Sequence, residues 1–347
     1  MPRCPSKIYR GLVTAPVTTS VALLLGAGFS VAGGLPATGG LMDGQMWVVS
    51  GEQGRRVQQV LSSWETWRAR HGDDVAGFLH STYLGHVESA AVGTLPGAKL
   101  PWPWVTQYLA ARLSEHTTGA RGGSSPRNFE RLTTPSGVGP HRQLLQELAA
   151  SGPLIGVVTS NYDLLAERVL RPRAVRGWPT VGFHYAGLPR PQIAQGSPLP
   201  WRQRDGTRHA AIELTGEVPL AKLHGSLNWD RQGATGGASG PPVKLWQDLR
   251  RSYRLDAAPA IVAPIPETTP PSWLEPVWHA AARLLRTAEQ WVVVGYSLPE
   301  YDVAIRNLLV DAGHGQRIVV RDPMAATVAE RFRSLLPTSE VAAGSAL

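Results

Sequence analysis

The chain has 347 residues, of which 43% are hydrophobic and 17% charged, with a formal charge of +8 and a pI near 10.0. That length and apolar content suit one large or two modest domains with a buried core, and no apolar run approaches the roughly 18 residues of a membrane-spanning helix, so an integral membrane protein is not expected. The only cysteine, Cys4, leaves no internal disulfide and no paired-cysteine zinc ribbon, and no metal is expected.

Residues 1–20 read as an N-terminal extension. They carry Arg3, Lys7 and Arg10 but are interrupted by Pro5, Pro16 and several threonines, and the apolar run beyond them lasts only five residues, so a signal peptide is not expected and the cytoplasm is. That run, Val21–Leu25, is a predicted buried strand leading into Gly26-Ala27-Gly28 and Ser30. A glycine turn after a strand lets backbone N–H groups close on a pyrophosphate where a side chain would clash. The third glycine of G-x-G-x-x-G would fall at Val31, so the dehydrogenase fingerprint is incomplete and a turn serving only strand-to-helix packing is the alternative.

Leu41–Leu61 and Ser62–Leu79 are predicted helices with Trp47, Trp64 and Trp67 on apolar faces. Pro96, Pro101 and Pro103 break the pattern before a helix over Trp104–His116, and Thr117–Pro140, rich in Gly, Ser, Pro and Arg, is a predicted loop before a helix over His141–Ala150. Residues 41–150 read as a helical insertion carrying a lid and oligomer contacts. Leu154–Leu170 is a second buried strand ending in Thr159-Ser160-Asn161-Tyr162-Asp163, then a helix. Short strands are expected near Val181–Tyr185 and Ala210–Leu214, and Leu220–Trp229 is a strand with His224-Gly225-Ser226 at its end. Arg231–Pro242 is linker-like, Ile261–Pro264 a strand, and Trp273–Gln290 a helix capped by Ser272. Trp291–Pro299 runs three valines into Gly295-Tyr296-Ser297, a helix follows over Asp302–Ala312, and the strand Arg317–Val320 ends in Arg321-Asp322 before the last helix. The expected fold is α/β: a Rossmann-like parallel sheet with helices on both faces, formed by residues 21–40 and 151–335, with the helical insertion and a C-terminal tail over 336–347. In an open parallel sheet ligands sit beyond the carboxyl ends of the strands, where all four polar clusters fall.

The ordered set GAGFS…GLP, TSNYD, LHGS and VVGYSLPEYD resembles the sirtuin-like (silent-information-regulator-like) NAD-binding domain, in the branch found in bacterial antiphage proteins that destroy NAD. The resemblance spans about Val21 to Asp322, loosely between the first two motifs. It implies a domain that binds NAD in an inverted orientation, with a smaller inserted module, and cleavage of the nicotinamide–ribose bond, NAD being substrate rather than resident cofactor. Deacylating members carry a zinc ribbon, and an acidic, an aromatic and a basic residue after the proline. This chain has neither, reading Gly34-Leu35-Pro36-Ala37-Thr38, so lysine deacylation is disfavoured and simple hydrolysis favoured.

His224 matches the family histidine and is the expected base, because its ordinary pKa lies near neutrality. Asn161 matches the family asparagine; its amide suits ribose hydroxyls or a water, while a helix cap is its alternative. Asp163 either caps the next helix or accepts from His224. Gly26, Ala27, Gly28, Ser30, Gly295 and Ser297 are expected around the phosphates and ribose, and Asp322 on ribose hydroxyls or as a helix cap. The expected function is an NAD glycohydrolase in abortive infection. A non-catalytic NAD or ADP-ribose-nucleotide sensor or scaffold in a defence complex is the alternative. With no sensor region behind the domain, regulation is expected from a homo-oligomer or from a separately encoded ATPase or Argonaute-like partner. The positive charge suits an acidic partner, yet the arginines are scattered, so direct nucleic-acid binding is not expected.

Overall fold

The computed structural model describes residues 19–42, 51–92, 100–118, 139–170, 183–188, 218–230, 244–245, 259–264 and 270–347. The chain begins with β1 (Val21–Leu25) and a one-turn helix α1 (Ala27–Val31). Helices α2 (Gly51–His71), α3 (Val75–Val92), α4 (Trp102–Thr118) and α5 (Gly139–Ser151) follow. Next come β2 (Leu154–Thr159), α6 (Leu165–Leu170), β3 (Phe183–Tyr185), β4 (Val218–Lys222), β5 (Gly225–Asp230), β6 (Lys244–Leu245) and β7 (Pro259–Ile261). The chain closes with α7 (Glu275–Thr287), β8 (Gln290–Val294), α8 (Val303–Ala312), β9 (Arg317–Arg321), α9 (Ala325–Leu335) and β10 (Glu340–Gly344).

Seven strands form one sheet in the order β10-β9-β8-β1-β2-β4-β3, and every pairing in it is parallel. All five residues of β1 are buried, and so are Trp291–Val294 of β8. Alternate residues of a strand face opposite sides, so unbroken burial means that both faces are covered, which is why these strands read as continuous apolar runs. α7 packs over β2 and β4, with Leu284 against Gly156 and the Trp278 indole donating to Leu223 O at 2.9 Å. The fold is Rossmann-like α/β. β1 pairs with β2 on one side and with β8 on the other, so the strand order reverses there, and in open parallel sheets ligands sit beyond the carboxyl ends of the strands at such a point.

A small antiparallel sheet, β6-β5-β7, continues from β4 through the turn at His224. It shares a second apolar cluster with the helical insertion, in which Trp64, Phe78, Tyr108 and Leu109 meet Leu227 and Ile261, and Trp102 Nε1 donates to Ile261 O at 3.0 Å. α5 is buried elsewhere: Leu144, Leu145 and Leu148 belong to the core of the large sheet.

Several boundaries differ from the sequence reading. No break separates Leu61 from Ser62; the helix runs on to His71 and ends at Gly72, whose φ of +70° suits glycine, and Asp74 Oδ1 then accepts from Gly77 N at 2.9 Å to open α3. Ser272 does not cap α7, which is preceded by Leu274 and carries a proline in its first turn. The strand expected at Ile261–Pro264 lies over Pro259–Ile261. The tail over 336–347 contains β10, paired in register with β9 from Glu340↔Arg317 to Gly344↔Arg321. The ends of the loop expected over Thr117–Pro140 belong to α4 and α5, while its residues 119–138, Trp47, the expected strand at 210–214 and the linker at 231–242 lie outside the described residues.

Candidate functional site

Strand register brings the polar clusters together. Leu25 pairs with Thr159 and with Val294, Thr159 with Lys222, and Val294 with Arg321. These five residues form one row across the sheet, so whatever follows each of them lies on one edge. Gly26–Gly28, Asn161, His224, Gly295–Ser297 and Asp322 are those residues. Asn161 and His224 each stand two positions beyond the paired Thr159 and Lys222 on neighbouring strands.

The glycine turn serves a contact inside the protein. A Cβ on Gly28 would lie 2.6 Å from Gly295 Cα, one on Gly26 2.6 Å from Gly295 O, and one on Gly295 2.2 Å from Phe29 N. The Gly28 amide donates to Gly295 O at 2.9 Å, so it is engaged with the β8 turn. Gly295, at φ +61°, holds a left-handed conformation that a side chain would strain. The absent side chains at 26, 28 and 295 therefore let the β1–α1 and β8–α8 turns meet, and Ala27, half-buried, stands at the start of α1.

Asn161 is not a helix cap. Its Nδ2 donates to Gly26 O at 2.8 Å and to Ser30 Oγ at 2.9 Å, while Asp163 Oδ1 accepts from Leu165 N at 2.8 Å and so opens α6. Gly26 O can only accept, which fixes the amide's orientation and leaves Oδ1 with no partner among the described residues. The Ser30 hydroxyl donates in turn to Asp163 Oδ2 at 2.7 Å. Ser30 is 2% exposed with its single proton committed, and both Asp163 oxygens are engaged. The sequence reading put Ser30 near the ligand and Asp163 at the start of the next helix or on His224; in the structure Asp163 opens α6, and Ser30 and Asp163 together support Asn161. Beneath them Lys222, wholly buried, donates to Asp163 O, to Tyr162 O at 3.4 Å and to Glu167 Oε1 at 2.8 Å.

His224 is 2% exposed, and Gly225 beside it has φ +81° with Ala260 O against the space of a side chain. Its carbonyl accepts from Val262 N at 3.0 Å, the Tyr162 ring lies 6.2 Å away, and Tyr162 OH donates to Val262 O at 2.9 Å. Asp163, the carboxylate considered for His224, points elsewhere. The carboxylate facing it is Asp302, with Oδ1 3.6 Å from Nε2, a separation within ion-pair range but too long for a hydrogen bond. Both atoms are buried and unpartnered. Asp302 Oδ2 accepts from Tyr296 OH at 3.0 Å, and burial first, then the Asp302 charge, push both the Tyr296 and Tyr162 hydroxyls well up, so both stay neutral. Orphaned buried polar atoms are costly, and these two face each other across 3.6 Å.

Ser297 is exposed at the end of β8, where its carbonyl accepts from Arg331 Nη1 at 2.8 Å. Asp322 Oδ1 accepts from Met324 N at 2.8 Å in a turn just ahead of α9, which has no side-chain cap, and the residue is half-buried on the same edge. Sequence reasoning missed Asp302, because an aspartate just before a helix reads as a cap, and missed Lys222, although a lysine inside an apolar strand was a visible signal. It also took His141 only as a helix residue. His141 Nε2 donates to Phe29 O at 2.7 Å from α5, and burial lowers its pKa. Among the described residues no group of three or more His, Cys, Asp or Glu is disposed to hold a metal, and no helix is long and apolar enough to cross a membrane.

No protein-family model and no curated protein matches this chain. Two solved structures align along most of it. One, described as "Structural Basis for the Mechanism and Regulation of Sir2 Enzymes", is 14% identical, with 94% of this chain and 87% of that chain covered and a TM-score of 0.35. The other, a mutant Sir2 homologue in complex with ADP-ribose, is 13% identical, with 92% and 91% covered and a TM-score of 0.31. The sheet order and strand directions set the class of this protein as Rossmann-like α/β.

Proposed function

We propose that this chain is an NAD glycohydrolase that converts NAD and water to nicotinamide and ADP-ribose. The observation that carries the reading is the pairing of Asn161, fixed by Gly26 O and Ser30 with its Oδ1 left open, with His224, buried just beyond the adjacent strand β4 and facing the unpartnered Oδ1 of Asp302. Both lie at the edge where an open parallel sheet binds nucleotides, beside the reversal in strand order. In the reaction the bond from C1′ to the nicotinamide nitrogen breaks, and its electron pair neutralises the ring cation. Water oxygen bonds to C1′, and the proton that water loses goes to His224. Asn161 holds a ribose hydroxyl or that water through Oδ1. No charge need build on a leaving group, so orientation and one placed base suffice.

The motif resemblance extends the proposal: the activity serves abortive infection by phage and is held in check by self-assembly or by a separately encoded ATPase or Argonaute-like partner. The test is nicotinamide release from NAD, followed by mass spectrometry, by the protein alone and with its genomic neighbours. His224→Ala should abolish release, and Asn161→Ala should raise the barrier by about 2–4 kcal/mol, the scale of one preorganised polar contact. The products should be nicotinamide and ADP-ribose; O-acyl-ADP-ribose formed from an acetyl-lysine peptide at a comparable rate would contradict the reading. NAD that survives every condition while still binding would make the chain a sensor instead.

A further inference from the structure

We infer that Asp302 is the positioning residue for His224, holding the imidazole with its proton on Nε2 and its lone pair on Nδ1, so that Nδ1 is the nitrogen that accepts the proton. This deepens the glycohydrolase reading and rests on it for the reaction, though not for the tautomer.

Asp302 stands at the N-cap of α8, where an aspartate ordinarily accepts from the first-turn amides, yet its side chain makes no cap hydrogen bond. The carboxylate is turned inward instead, 3% exposed, with Oδ2 taking the Tyr296 hydroxyl and Oδ1 facing His224 Nε2 at 3.6 Å. A helix forgoes a stabilising cap here, and the group withdrawn from it is aimed at the one histidine on the strand-end row. A carboxylate can only accept, so the imidazole nitrogen opposite it is favoured as N–H. The neutral ring then has its lone pair on Nδ1, which has no hydrogen-bond partner among the described residues and, unlike Nε2, is not among the fully enclosed unpartnered atoms. The same division of labour, one ring nitrogen oriented by a carboxylate and the other working as base, is how histidine bases are held elsewhere.

The neighbourhood isolates the effect. Ionisable groups facing the pair are Tyr162 from the β2–α6 loop and Tyr296 and Tyr301 from the β8–α8 loop, with Asp74 at the start of α3 beyond Tyr301. The tyrosines stay neutral, and the Lys222 ammonium is occupied by Glu167 and two carbonyls. The Arg306 guanidinium, one turn along α8, acts on the Tyr296 hydroxyl and donates to Leu298 O at 3.3 Å, and among the described residues Asp302 is the carboxylate facing His224.

Two measurements on the full chain test this. Nitrogen-15 NMR of the histidines, assigned by comparison with His224→Gln, should show His224 as the Nε2–H tautomer at neutral pH. Asp302→Asn should convert it, because Tyr296 OH holds the amide oxygen and turns the NH2 towards Nε2. Nδ1–H in the wild-type protein would overturn the inference. In NAD hydrolysis, Asp302→Asn should lower kcat by about 10²–10³-fold, the scale of a lost base, with KM within about threefold. The acidic limb of its pH profile should also move to lower pH, since the carboxylate that favours imidazolium is gone. Wild-type kcat and an unmoved limb would overturn it equally. Should Asp302→Asn not fold, Tyr296→Phe should lower kcat about fivefold and move the limb the opposite way, as a carboxylate stripped of its donor attracts the proton more strongly; no change in either would count against the inference. If the wild-type protein does not hydrolyse NAD, the glycohydrolase reading fails while the NMR experiment, which needs no substrate, still decides the role of Asp302.

Discussion

At the scale of single residues the site is held from below by a buried charge. Lys222 Nζ reaches Glu167, Tyr162 O and Asp163 O, and Glu167 also accepts from Tyr185 OH at 3.1 Å, so one ammonium ties β4 to α6 and to the loop that carries Asn161. A buried pair of this kind adds little over an apolar one, but removing one partner leaves the other charge stranded. Lys222→Met should therefore destabilise the fold by about 3–5 kcal/mol in urea titrations. Lys222→Met combined with Glu167→Gln should recover a large part of that loss, because no uncompensated charge remains. A double variant as unstable as the single one would mean that the three lysine hydrogen bonds, rather than the charge balance, matter.

At the scale of elements, the decisive contact is between two turns. The β1–α1 and β8–α8 turns approach so closely that Gly26, Gly28 and Gly295 have backbone where a Cβ would be, and this contact joins the two turns beyond the carboxyl ends of the parallel β1 and β8. Gly295→Ala meets both a left-handed φ and backbone atoms within 2.4 Å, so it should cost at least about 2 kcal/mol and weaken NAD turnover through misplacement of both turns. Gly39→Ala is the control, since nothing lies within 4 Å of its Cβ, and it should leave thermal unfolding unchanged. Equal stability of the two variants would show that the turns can separate without consequence. The same geometry removes the discriminating power of a bulky residue at Gly28, which would fail through packing whatever the ligand.

At the scale of the whole molecule, α5 is joined to the β1–α1 turn at the strand-end edge through His141, and that joint depends on pH. Phe29 O only accepts, so His141 carries its proton on Nε2 and buries Nδ1 without a partner. Burial holds its folded pKa below the ordinary 6.5, with Phe29 O and the Asp163 charge opposing. As pH falls through about 6.5 the unfolded chain binds the proton first, so stability is full above that value and drains as pH approaches the lower, folded pKa. Denaturation at pH 7.5 and 5.5 should show the wild type losing stability on acidification and His141→Gln losing less. His86, also lowered by burial, contributes the same sign and remains in both proteins, so the difference isolates His141. The Glu147–Arg321 pair, from α5 to β9, does not interfere: Arg321 holds the carboxyl below its ordinary 4.5, and its contribution is lost only at more acid pH.

The strands and the edge they define were legible in the sequence because a strand buried on both faces is an unbroken apolar run, as in Val21–Leu25 and Trp291–Val294, and polar residues that end such runs share one edge of a parallel sheet. Asn161 and His224 were visible for that reason. Three things were decided by tertiary structure alone. Gly28 faces Gly295 from 267 positions earlier in the chain, so whether its missing side chain admits a ligand or a second turn depends on strand order. Ser30, taken for a ligand contact, is committed to Asp163 across 133 residues and accepts from Asn161. Asp302 precedes a helix and reads locally as its cap; only the fold sets His224 opposite, and a carboxylate with a buried imidazole before it no longer serves the helix. Local pattern determines which residues end a strand, but a polar side chain's partner is set by what the sheet brings beside it, and that is where the chemistry of this protein was decided.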